Sequence, residues 1–114
     1  MEITNEFVRE QITKGKKYSL VFLIEGPNYK TYPPDKLEEN HWAHLRYLFS
    51  LKEQGKLLVN GPMMDAGKIH GMSIYDSANK DEVRGYLEAD PAVQAGRFTF
   101  EIYEYFSMPG STLS

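Results

Sequence analysis

The chain contains no cysteine, which excludes disulfides, thiolate metal sites and cysteine nucleophiles. It also has no long hydrophobic run. The longest apolar stretch, residues 18–24, falls far short of the ~20 residues that a helix needs to cross a bilayer. Positive charge is not in excess: a net charge of −3 and a pI near 5.6 offer no general attraction to nucleic acid or anionic lipid. Imidazoles are few. His41 and His44 lie three residues apart, but no third nitrogen or sulfur ligand stands near them and His70 is isolated in a hairpin, so no metal is expected. Residues 1–17 carry no apolar core of the secretory-signal kind. We therefore expect a soluble cytoplasmic protein with no membrane or nucleic-acid partner.

What is present reads as a single domain, since 114 residues suffice for one core and little more. Residues 4–14 predict a short helix, capped by Thr4 or Asn5, with Phe7, Val8 and Ile12 as a modest apolar face ended by Gly15. Residues 18–25 predict a strand that is apolar at both parities, with Leu20, Phe22 and Ile24 on one side and Val21 and Leu23 on the other. A long amphipathic helix starts at the Pro33-Pro34-Asp35 corner and stops at Gly55. Residues 57–60 and 71–76 predict two further strands, joined through a hairpin punctuated by Asp65-Ala66-Gly67. Asn79 and Glu82 form a capping box for a second helix with Val83, Tyr86 and Leu87 inward, followed by a helical turn and a last strand over 97–106. The expected boundaries are an extension over 1–16, the folded unit over 17–108 and a tail over 109–114.

After the leading helix the order is βαββαβ, so the expected class is α+β with a ferredoxin-like arrangement. Both helices then cover one face of a single antiparallel sheet. Val21 and Leu23, with Tyr103 and Tyr105, are expected on the open face as an apolar patch of the kind that marks an interface. This predicts a homodimer or larger assembly in which the sheets of two subunits pack as a dimeric α+β barrel. The segment GRFTFEIY (residues 96–103) looks like the aromatic box of RNA-recognition domains, but it lies on the last strand rather than a central one. With an acidic pI, no RNA partner is expected.

Within the long helix, Leu37, His41, His44, Leu48 and Leu51 fall on one stripe at 100° per residue. His44 thus points into the fold. An imidazole there is either a core group satisfied by a carbonyl or a general base or acid, because it titrates near pH about 6.5. Asp90, before Pro91, is placed to cap the next helical turn, and its second oxygen remains available to orient an imidazole. His41 is expected at the rim. Gly61-Pro62 reads as a sharp turn whose glycine lets backbone amides approach an anion or carbonyl, with Met63 as an adaptable wall. Ser73 alternates with Met72 and Ile74; it either donates a hydrogen bond into a cleft or faces solvent or an interface.

Taken together, HWAHLRYLFSLKEQGKLLVNGP, GMSIYD and YLEADPAVQAGRFTFEIYEY resemble the YciI-like (YCII-related) family. The resemblance runs from Tyr18 to about Phe106. It implies a ferredoxin-like dimer with a His-Asp pair in a pocket, carried here by His44 and Asp90 with Gly61, Pro62 and Ser73 nearby. It also implies acid–base chemistry such as isomerisation or dehydrochlorination, with no cofactor. The leading helix and the loop over 25–34 look longer than such a domain needs, so they reshape or cover the pocket. The leading expectation is a cofactor-free isomerase or lyase acting on a small aromatic or carbonyl compound. The alternatives are a non-catalytic small-molecule-binding domain on the same scaffold and a cofactor-free oxygenase.

Overall fold

The computed structural model describes all 114 residues. Its elements, in order, are α1 (Asn5–Thr13), β1 (Lys16–Glu25), α2 (Pro34–Glu53), β2 (Leu57–Pro62), β3 (Ile69–Tyr75), α3 (Lys80–Glu88), α4 (Pro91–Gln94) and β4 (Phe98–Ser107). The strands form one antiparallel sheet in the order β2-β3-β1-β4, the ferredoxin-like arrangement. Leu48 and Leu51 of α2 and Val83 and Leu87 of α3 meet Val21, Leu23, Leu57 and Tyr75 of the sheet in the core. Each buried leucine or valine there stabilises the fold by roughly 1.5–3 kcal/mol.

The two sides of β1 are the reverse of the expectation. Val21 and Leu23 face the helices, opposite Ile102 and Phe100 of β4, whereas Leu20, Phe22 and Ile24 lie on the open side near Tyr103 and Tyr105. The cause is Ser19. It shares the parity of Val21 and is fully buried because its hydroxyl donates to the Ser77 carbonyl at 2.7 Å. A serine among the inward positions makes the outward set look more apolar, and a two-residue period carries no sign of its own. The open apolar face itself is present, built from the other set of residues.

Gly61-Pro62 is not a turn. Both residues belong to β2, opposite Met72 and Gly71. Proline is tolerated there because β2 is an edge strand with one side free of ladder bonds. The capping box at α3 is half made. Asn79 accepts from the Asp81 and Glu82 amides, but the Asn79 amide itself donates to the Ser77 hydroxyl. Helix α1, capped by Thr4, buries none of its residues and lengthens the molecule to 57 × 28 × 23 Å.

Candidate active site

The site is built where the first half of α2 passes the start of α4. Pro34 at the first turn and Gly55 beyond the end (φ 75°) frame an uninterrupted α2, so His44 falls one turn before Leu48 on its buried face. Asp90 has extended backbone (φ −69°, ψ 126°) and caps α4, its Oδ1 accepting the Ala92 amide at 2.8 Å. That geometry directs the other oxygen toward α2. His44 Nδ1 lies 2.7 Å from Asp90 Oδ2 and 2.9 Å from Oδ1. The sequence separation of the pair is bridged because the α3–α4 corner packs against α2, where Asn40 Nδ2 also donates to the Pro91 carbonyl at 3.2 Å.

With Nδ1–H donating to the carboxylate, the neutral ring presents the Nε2 lone pair. No protein group bonds Nε2, and the ring edge borders a cleft of about 400 Å³. Leu23, Leu48 and Phe98 make its apolar floor and wall; His41, Asn60, Ser73 and His70 bring polar groups to it. An imidazole held in one tautomer, with its base end in a partly apolar cleft, is equipped to take and return a proton.

The chain belongs to the YCII-related domain family. The family pattern matches residues 16–109. Among solved structures, 5-chloro-2-hydroxyhydroquinone dehydrochlorinase of Burkholderia phenoliruptrix, in complex with 2,5-dihydroxybenzoquinone, is 28% identical to this chain with a TM-score of 0.53. That match covers 77% of this chain and 90% of the dehydrochlorinase. A dimeric protein of unknown function with a ferredoxin-like fold from Bacteroides fragilis is 16% identical, covers 78% of this chain and 94% of its own, and has a TM-score of 0.44. No curated protein sequence matches.

Within this YCII-related fold the other singled-out residues are distributed unevenly. His41, Gly61, Pro62 and Ser73 line the cleft with His44. His41 is exposed at the rim; partial burial, then the neighbouring His44 and Arg97, hold its imidazole below the usual histidine range. Ser73 does not face solvent. It is buried opposite Val21 on the helix side, and no protein group bonds its hydroxyl. Met63 does not line the cleft; it lies past the end of β2 and is 37% exposed. The amides after Gly61 are not free for an anion either, since Pro62 has no N–H and the Met63 amide donates to the His70 carbonyl.

Three groups escape the sequence reading. His70 is not isolated in a hairpin: β3 begins at Ile69, so His70 is in the sheet and its Nε2 lies 3.0 Å from Glu25 Oε2. Tyr29, from the loop over 26–33, packs at a tilt against His70 at 4.7 Å and Phe98 at 5.8 Å, two residues that line the cleft. Arg97, the last residue before β4, is buried and donates from Nε to Asn40 Oδ1 at 2.6 Å. Asn40 stands one turn before His44 on α2.

Proposed function

We propose that this YCII-related protein is a cofactor-free lyase or isomerase that moves a proton on a small cyclic hydroxy or carbonyl compound. The observation that carries the reading is the 2.7 Å bond from His44 Nδ1 to a capped, buried Asp90, which leaves Nε2 free at the cleft. Asp90 fixes the tautomer and stabilises the imidazolium that forms when Nε2 accepts a proton. The Ser73 hydroxyl, unbonded and on the same wall, donates to the oxygen on which charge develops. For a dehydrochlorination, one hydroxyl gives up its proton through His44 as the chlorine-bearing ring carbon gains one, which forms a carbonyl and an sp3 C–Cl centre. His44 then removes a second hydroxyl proton, that electron pair forms the second carbonyl, and chloride leaves. The likeness to the Burkholderia dehydrochlorinase supports testing this reaction first.

Two copies are proposed to pair through the open face of the sheet, where Leu20, Phe22, Ile24, Met72 and Ile74 are half-exposed and Tyr103 and Tyr105 are exposed. No helix is long and apolar enough to cross a membrane.

The test is chloride release from 5-chloro-2-hydroxyhydroquinone, run beside hydrogen–deuterium exchange on a panel of cyclic ketones and phenols. Turnover by the native protein that His44→Gln removes, at unchanged melting temperature, supports the proposal. Turnover that survives His44→Gln refutes it, and binding without any turnover identifies a binding domain instead.

A further inference from the structure

Arg97 Nη2 is the one side-chain nitrogen or oxygen that is closed off from solvent and yet has no hydrogen-bond partner. The residue is 4% exposed, and only its Nε is bonded, to Asn40. None of the ion pairs in the molecule includes it. Aromatic faces surround it instead: the guanidinium carbon lies 5.1 Å from the Phe98 ring and 5.8 Å from Tyr32. Burial opposes the charge, and Tyr32 and then Asp90 favour it. A guanidinium nevertheless stays protonated in proteins, and a buried cation without a counter-charge is costly. An anion from outside the chain would supply both the missing acceptor and the missing counter-charge.

There is room for one. Arg97 borders an annex of about 580 Å³ with Tyr29, Leu37, Glu38 and His41. His41 and Phe98 line both this annex and the His44 cleft, so the two spaces are adjacent. The His44 ring centroid lies 6.2 Å from His41 and 6.0 Å from Phe98. Glu38 stands exposed on the annex rim and forms no ion pair with Arg97.

We propose that Arg97, with His41 beside it, is a carboxylate-binding subsite of the His44 cleft. The substrate is then a small flat molecule with a carboxylate at one end and its reacting atoms at the other. The fork of guanidinium donors matches two carboxylate oxygens, and the Tyr29 and Phe98 rings suit a planar body between the two positions. This deepens the proposed function and rests on it for the choice of cleft.

The test compares benzoate with its neutral isostere benzamide by calorimetric titration. Native protein should bind benzoate at least tenfold tighter, about 1.4 kcal/mol. Arg97→Met should erase that preference, whereas His44→Gln should keep it while losing turnover, so the subsite and the proton-transfer reading fail separately. Equal affinity for the two probes, binding of neither, or a preference that survives Arg97→Met overturns the subsite. Should Arg97→Met not fold, the native protein still decides. Benzoate, but not benzamide, should raise the NMR titration midpoint of His41, and the absence of that shift overturns the proposal.

Discussion

His44–Asp90 and His70–Glu25 border the same cleft and join a ring nitrogen to a carboxylate at similar distances, 2.7 and 3.0 Å. What separates them is the rest of their surroundings. The side chains of the first pair are 8% and 1% exposed, those of the second 30% and 19%. Asp90 is also held by the Ala92 amide, while Glu25 accepts from His70 alone. Identical functional groups thus form a sealed, doubly anchored pair in one place and a part-exposed, singly anchored one in the other. Geometry alone does not make a histidine a catalyst; burial and the second anchor on its carboxylate decide how strongly its orientation is held.

The sharpest way to break this contrast is through turnover. Asn caps a helix about as well as Asp, so Asp90→Asn keeps α4 but removes the charge that, on the proposed mechanism, stabilises the imidazolium. We expect kcat for proton transfer to fall roughly 10²–10⁴-fold, while Glu25→Gln changes it less than about tenfold. Steady-state kinetics on both variants checks this. Equal losses would show that the exposed pair performs the same work as the buried one.

Stability comes next. Asp90→Ala removes the cap and strands a buried imidazole, for an expected loss of about 3–5 kcal/mol in urea unfolding. Glu25→Ala breaks a partly hydrated pair and should cost about 1 kcal/mol or less. The ordering is the content of the prediction; if Glu25→Ala unfolds the protein more readily, the burial difference is not what distinguishes the pairs.

The legibility of the two pairs in the sequence follows the same physics. His44–Asp90 was readable because each member breaks a local rule: a histidine on an apolar stripe, and an aspartate just after a helix end where the dipole disfavours it. His70 breaks no rule in a segment rich in turn residues, and its partner depends on β3 starting at Ile69, two residues earlier than the side-chain pattern predicts. The element order was legible for the same reason as the dyad, from caps, glycines and periods. The sign of the β1 faces was not, because burying Ser19 depends on a long-range bond to the Ser77 carbonyl. Arg97 and Tyr29 belong to the same class: their neighbours are set by how residues 26–28 cross the α4–β4 corner, where the Gly26 and Asn28 amides donate to Arg97 and Gly96 carbonyls. No local pattern encodes that crossing.

The smallest effect lies at the exposed end of the series. Glu82 is the solvent-facing counterpart of Asp90 and Glu25, yet hydrogen bonds from Tyr86 and then Ser77 hold its carboxyl below the usual glutamate range. A carboxyl lowered in the folded state adds stability that is fully present above its unfolded pKa and disappears as pH falls through the folded value. Glu82→Gln should therefore lower the melting temperature slightly at neutral pH, and its gap from native protein should close on acidification from about pH 6 to pH 3. A gap that widens in acid would mean the Tyr86 and Ser77 bonds favour the protonated carboxyl. The gradient from sealed to exposed carboxylate would then not order these three groups.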